Sequence, residues 1–345
     1  MAPKKRITHR DVANLAGVSN AVVSYVINNG PRPTSPEVRE RVLRAIAELD
    51  YHPSALAQSL SVQRSHMLGF ISSDYYPTLV FTSPYSSGIL TGLVAETNAQ
   101  GYYLMVYPMG IGHDLSQLQV LLRSGRLDGV VVRLVQEPPD TDSLLEMIAS
   151  VGIPCVCIER PGNPRFNLCT VTFNDLGGAY DATRYLIQRG HRHIAHLHGD
   201  FRYASARARL EGYRQALNEA GLPQDESLIV GGTWDSEDAA RATHQLLELQ
   251  SPPTAIFAAN DSLAFVATEI IRERGFRIPD DIALVGFDDI PLAQEMIPAL
   301  TSVRIPLAEL GQSAARLALK LVNGASAADC QSETLPVELI KRGTA

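Results

Sequence analysis

Residues 7–29 read ITHRDVANLAGVSNAVVSYVINN, and this stretch decides what the front of the chain is. Thr8 followed three residues later by Asp11 is a helix start, a hydroxyl cap with an acid placed to answer the cap's own N–H. Val12, Ala13, Leu15 and Ala16 then make an apolar face over a short helix. Gly17-Val18 breaks it, and Ser19 caps a second helix running to about Asn28. Val22, Val23, Val26 and Ile27 share one side of that helix and are expected to be buried, which leaves Asn20, Ala21, Ser24 and Tyr25 facing outward. A third helix opens at Ser35-Pro36-Glu37, a cap followed by proline at the first helical position. Its apolar stripe is Val38, Val42, Leu43, Ile46 and Leu49.

Two short helices across a tight glycine turn, held by a third, make a helix-turn-helix core. The second helix of such a unit enters the DNA major groove with its N-terminal residues against base edges. Here those residues are Asn20, Ala21 and Tyr25, with Ser19 and Ser24 placed for phosphates. A plain three-helix bundle that binds nothing has the same pattern, so charge is the next observation. The chain carries a net charge of −7 over 345 residues, yet residues 1–64 hold nine Lys/Arg against five acids, a local +4 that leaves −11 on the remainder. A basic head on an acidic body is the footprint of a molecule with one phosphate-facing end.

Residues 53–62, PSALAQSLSV, are too few for a helix that is stable alone. Ser54 can cap it, and Leu56 and Leu60 fall one turn apart; the residues by themselves leave open a plain linker or a helix packed on its own domain. From Met67 onward, MLGFIS, YYLMVY, DGVVVR, PCVCIE, HIAHLH, TAIFAA and IALVGF are short, β-rich runs separated by amphipathic segments. That cadence predicts parallel sheets with helices on both faces. It occurs in two series, before and after about Thr172, and two doubly wound lobes hold a ligand in the cleft facing the carboxyl ends of their strands.

A chain of this length holds two or three packed units, and 45% hydrophobic residues support sizeable cores. There are four cysteines. Cys155 and Cys157 alternate along an apolar run and Cys169 and Cys330 stand alone, so neither a disulfide framework nor a zinc spacing is expected, and the compartment reads as a reducing cytosol. Met1–Arg10 is basic and polar with no apolar segment behind it, and no apolar stretch is long enough to span a bilayer. A cytoplasmic protein with no membrane partner is expected.

The quoted stretch, together with SPEVRERVLRAIAELDYHPSALAQSLSVQRS at 35–65, closely resembles the head and hinge of the lactose/galactose/purine repressor family, and the resemblance runs through nearly the whole chain. It implies a small all-α helix-turn-helix head plus hinge helix, joined to an α/β two-lobed periplasmic-binding-protein type I domain with parallel sheets. The implied limits are 1–52 for the head, 53–65 for hinge and linker, and 66–345 for the effector and dimerisation domain. Within that domain the N-lobe takes about 66–173 and 304–334, and the C-lobe about 174–303 and 335–342. The implied activity is that of a sequence-specific transcriptional repressor controlled by a small molecule.

The same resemblance assigns residues. Thr8, Ser19, Asn20, Ala21, Ser24, Tyr25 and Asn28 face the operator, and Leu60, flanked by Ser61, wedges into the central base step through the minor groove. Family members usually carry arginine where this chain has Tyr25, and tyrosine cannot make the bidentate guanine pair, so a relative's half-site does not transfer. Some relatives have lysine at the place of Ser61. In the large domain SPYSSGILTGL offers Ser83 and Tyr85 to the cleft, and ASARARLEGY places the effector-clamping arginine at Arg209 with Ser205 beside it. WDSED puts Trp234 under the ligand, AANDSLA supplies Asn260 and Asp261, VGFDDI supplies Asp288, and Glu159 ends a strand where relatives often have an acid. Chemically the set suits a sugar, with Trp234 against its apolar face and Arg209, Asn260 and Asp288 bracketing hydroxyls; a nucleobase is the rival ligand.

No cofactor and no metal is expected. His191, His193, His196 and His198 invite a metal reading, but strand-borne pairs need further ligands that the sequence does not supply. No phosphate-cradling loop and no nucleophile elbow occurs, so an enzyme is not expected. A pure solute-binding protein, the other class sharing the large domain's fold, has no use for the helix-turn-helix. Helix-turn-helix dimers match two-fold operators, so a homodimer on a pseudopalindrome is expected, assembled through helices of the large domain. The chain stops just after VELIKRG with no heptad tail, so a tail-zippered tetramer is not expected.

Overall fold

The computed structural model describes residues 7–28, 34–52, 64–74, 77–110, 113–134, 140–160, 165–166, 168–326 and 330–345. They divide into two units, Met1–His66 and Met67–Ala345.

In the first unit α1 (His9–Ala16) begins where the capping pattern places it, with the Thr8 N–H donating to Asp11 Oδ2 at 2.8 Å. Gly17 ends it in the left-handed region at φ +65°, a conformation that lets α2 (Asn20–Asn28) set off in a new direction. The Val22 N–H donates to Ser19 Oγ, and α3 (Pro36–Glu48) is capped in the same way by Ser35. Val12, Ala13, Ala16, Val23, Val26, Val42, Ala45 and Tyr51 form the core. Two expected core positions are corrected: Leu15 is 46% exposed and Leu43 is 48% exposed. On each helix the buried positions centre on one side, and Leu15 and Leu43 each sit about 100° around the helix from that centre, on its outer flank. Ala45, not Leu43, is buried in this core beside Val42. The hinge, with Leu60 and Ser61, and the side chain of Asn28 lie outside the described residues.

The second unit is two six-stranded sheets. The first contains β1 (Met67–Ser73), β2 (Tyr103–Met109), β3 (Gly129–Leu134), β4 (Cys155–Ile158) and β5 (Cys169–Phe173), all parallel. The second contains β6 (Ile194–His198), β7 (Ile229–Gly231), β8 (Ala255–Ala258), β9 (Ala283–Asp288) and β10 (Thr301–Arg304), again parallel. The chain then returns to the first sheet to add β11 (Glu333–Leu335) beside β5, and crosses once more to lay β12 (Glu338–Ile340) antiparallel on β10. All seven apolar runs picked from the sequence are strands; β5, β7, β10 and β11 are too short or too polar to announce themselves.

Around the first sheet pack α4 (Leu79–Thr82), α5 (Pro84–Ala99), α6 (Leu115–Arg123) and α7 (Asp140–Val151), and around the second α8 (Asp175–Gln188), α9 (Ala204–Glu219), α10 (Ser236–Leu247), α11 (Asp261–Glu273) and α12 (Pro291–Glu295). The last helix, α13 (Leu307–Val322), belongs to the first lobe and lies against α5. Their backbones meet at Gly92 and Gly311; a Cβ on Gly92 would fall 1.9 Å from the Ala308 carbonyl oxygen.

One cysteine expectation is overturned. Cys169, the first residue of β5, and Cys330, in the segment leading to β11, form a disulfide with their Cα atoms 5.9 Å apart. They are 161 residues apart in sequence, and only the pairing of β11 with β5 brings them together. Cys155 and Cys157 are free and buried among the apolar residues of the first lobe.

Candidate functional site

In each sheet the strand order reverses at its first strand, β2-β1-β3 in one and β7-β6-β8 in the other. A crevice opens at the carboxyl ends of strands around such a switch point. The residues found there are polar, in contrast with the apolar strands that carry them. Asp74 follows β1, Arg133 is the penultimate residue of β3, and Glu159 follows β4. Across the crevice, Asp200 lies just past β6, Asn260 follows β8, and Asp288 ends β9. Glu159 and Asp288 both hold positive φ, +62° and +103°, backbone conformations uncommon outside glycine that cluster at functional sites.

Together these strand ends enclose a cavity of about 390 Å³, the size of a small-molecule site. Of the effector residues expected from sequence, Ser83, Tyr85 and Glu159 line it from the first lobe. Ser205, Arg209, Trp234, Asn260 and Asp288 line it from the second. Asp261 does not. It is 1% exposed and turned away, accepting the Ile290 N–H at 2.8 Å and the Ser302 hydroxyl at 2.5 Å. Burial pushes its carboxyl up to about 7. Its neighbour explains the split: Asn260 caps α11, accepting the Leu263 N–H at 2.8 Å, so the next residue enters the helix and points inward.

The second lobe's arginine is firmly set. Arg209 donates to Asp175 Oδ1 at 2.9 Å and to the Ala259 carbonyl, and its guanidinium lies 3.8 Å over the centre of the Phe287 ring. Asp288 stands 3.3 Å from it, and burial pushes the Asp288 carboxyl well up despite that cation. Trp234 rests directly on Gly199, where a side chain would collide with the indole, and it meets Tyr203 edge-on at 5.7 Å.

Sequence reasoning missed the first lobe's counterpart. Arg133 donates from Nε to Glu159 at 2.9 Å and from Nη1 to Asp74 at 3.0 Å, beneath the ring of Tyr85. Burial raises the Glu159 carboxyl, and Arg133 opposes that shift. Burial also pushes the Tyr85 hydroxyl well up, with the Glu159 charge adding to it. The lobes meet through Tyr203, whose hydroxyl donates across the cleft to Asp74 Oδ1 at 3.4 Å. A signal for this group existed: Asp74 and Arg133 are polar residues placed where apolar strand runs stop.

The histidine strand is explained by packing. His196 is stacked against Phe257 at 4.9 Å and Tyr213 at 5.2 Å, with Nδ1 3.0 Å from the Phe257 carbonyl oxygen. Among the described residues no cluster of three or more His, Cys, Asp or Glu is arranged to hold a metal ion, and no helix is long and apolar enough to cross a membrane.

Residues 8–54 match the family described as bacterial regulatory proteins, lacI family, and residues 183–345 match the periplasmic binding protein-like domain. The HTH-type transcriptional regulator CelR of Thermobifida fusca is 33% identical over 341 residues, covering 99% of this chain and 97% of its own. The chain belongs to the lacI family. As a member of that family it is a DNA-binding transcriptional regulator. The HTH-type transcriptional repressor PurR of Vibrio atlanticus is also 33% identical, over 98% of both chains. Among solved structures, a complex of the transcriptional regulator CelR with cellobiose is 32% identical with a TM-score of 0.75, covering 99% of this chain and all of that one. The lac repressor dimer bound to operator and the anti-inducer ONPF is 28% identical with a TM-score of 0.83, covering 99% of each chain. The lacI-family relatives are named as regulators and repressors rather than as enzymes.

Proposed function

We propose that this lacI-family regulator is a repressor that binds a pseudopalindromic operator as a homodimer and is controlled by a sugar held between the lobes of residues 66–345. The head, residues 1–52, reads base edges with Asn20, Ala21 and Tyr25. The hinge, residues 53–65, folds into the minor groove with Leu60 as the wedge. A segment that orders only on the operator, held between two protomers, is sensitive to protomer spacing, so effector closure of the lobes changes operator affinity by moving the hinge anchors.

The observation that carries the effector reading is the cavity itself. It gathers the indole of Trp234 and the buried carboxylates at the ends of β4 and β9 into one lining, an apolar face plus hydrogen-bond acceptors, which is what a pyranose ring presents in complement. The cellobiose bound by CelR is a precedent of the same chemistry.

Selection from a random duplex library on the full-length protein, with Leu60→Ala in parallel, tests the operator half. The expected result is enrichment of a palindrome with a pyrimidine–purine centre that the variant fails to enrich. Absence of enrichment with and without pooled sugars and purines would overturn the reading. The enriched duplex is then the probe for effector screening, in which release or tightening by purines alone would favour the nucleobase.

A further inference from the structure

Among the described residues, three guanidinium groups reach the cavity, and each is already paired. Arg133 is held between Asp74 at 3.0 Å and Glu159 at 2.9 Å, with all three side chains buried or nearly so. Arg209 is taken up by Asp175 at 2.8 Å, by the Ala259 carbonyl and by the face of Phe287. Arg202 donates from Nε to Asp200 Oδ2 at 2.8 Å. Against these three cations the described wall sets five carboxylates, those of Asp74, Glu159, Asp200, Asp235 and Asp288, a formal charge of −2 when all are ionised and before Asp175 is counted behind Arg209. Neither lysine nor histidine is among the described lining residues.

Two of those carboxylates each keep one buried oxygen without a geometrically aligned hydrogen-bond partner, Glu159 Oε1 on one lobe and Asp288 Oδ1 on the other. The second lies 3.3 Å from the Arg209 guanidinium but without the alignment of a hydrogen bond. Both call for donors. A hydroxyl supplies one; a phosphate or carboxylate brings only acceptors and a second negative charge into a poorly solvated space.

We propose that the cleft is a charge filter, taking an uncharged polyhydroxylated ligand and refusing its phosphorylated or carboxylated counterparts, because Asp74 and Glu159 hold Arg133 where no anion can recruit it. This deepens the effector reading above and rests on it. The residues that set the selectivity are then the carboxylates around Arg133 as much as those that touch the sugar.

Calorimetry on the full-length protein tests the filter with matched probes: cellobiose, glucose and ribose, beside glucose 6-phosphate, ribose 5-phosphate and glucuronate, with hypoxanthine added. Each anion is expected to bind at least ~100-fold more weakly than the uncharged sugar that binds, the like-charge clash acting as a rejection device. An anion that binds as tightly as its parent sugar overturns the filter. Binding confined to hypoxanthine would remove the sugar reading of the preceding subsection and the polyhydroxylated ligand proposed here, leaving the exclusion of anions to be decided by the phosphate titration below.

A second arm needs no sugar. Inorganic phosphate is titrated into the wild type, into Glu159→Gln and into the Asp74→Asn/Glu159→Gln double variant, each first shown to melt cooperatively. Wild type is expected to show no saturable phosphate binding, and the double variant, with Arg133 released, to gain at least about tenfold in affinity. Equal phosphate binding by wild type and variant, or no gain in either variant, overturns the proposal.

Discussion

His196 is fully buried, and burial holds its imidazole down to about 3, against an ordinary value of 6.5. A ring that is neutral when folded and protonated when unfolded contributes stability that is complete above pH 6.5 and lost as pH falls toward 3. Asp261 works in the opposite sense. Its carboxyl is raised to about 7 from an ordinary 3.8, so its contribution is complete below 3.8 and lost as pH rises through 7. Replacing the histidine separates the two. In His196→Phe, which keeps a flat ring between Phe257 and Tyr213, urea unfolding is expected to show a smaller loss of stability from pH 8 to pH 5 than in wild type. The difference should be about 2 kcal/mol, from roughly 1.4 kcal/mol for each pH unit below the unfolded value. An identical loss in both proteins would mean that the wild-type ring is not held neutral. The strand could be read from the alternation of IAHLH, but not what packs on each ring. Tyr213 comes from α9 and Phe257 from β8, and nothing local in the sequence connects them.

Among the elements, the contact of α5 with α13 is the most exacting. Gly92 faces the Ala308 carbonyl oxygen and Gly311 the Ile89 carbonyl oxygen, each with no room for a methyl group. Gly92→Ala must push the helices apart, and overpacking of this kind costs about 1–3 kcal/mol. Thermal denaturation should show the transition of the large domain lowered by about 2–4 °C per kcal/mol. An unchanged midpoint would show that the two helices can part freely. Helix starts were legible because a cap is a local event: Thr8 with Asp11, Ser19, and Ser35 before Pro36 each act within one turn. Leu15 and Leu43 are apolar but exposed, because an apolar side chain does not fix which face of its helix the neighbouring helices cover. Short strands such as TSVR of β10 carry no alternation long enough to see, and they are strands because β9 and β12 flank them.

For the molecule as a whole, one chain weighs 37.5 kDa, and light scattering on the full-length protein should return twice that mass. A monomer alone, at concentrations where operator binding is seen, would remove the two-fold match between protein and palindrome. By itself the sequence determined the division into a basic helical head and an acidic α/β body and the seven principal strands, since periodicity, capping and charge balance are short-range properties of a chain; the cleft residues were pointed to by resemblance to the repressor family, and eight of those nine line the cavity. Pairing across long separations was decided only by tertiary structure. Arg133 meets Asp74 because β3 pairs with β1, Arg209 meets Asp288 because α9 sets its side chain against the end of β9, and Cys169 meets Cys330 because β11 returns to β5 after the ten preceding strands have been laid down. The charge balance of the cleft follows from those pairings. A carboxylate in a sequence is only a negative charge; whether it repels an anionic ligand depends on which cation stands beside it once both are buried.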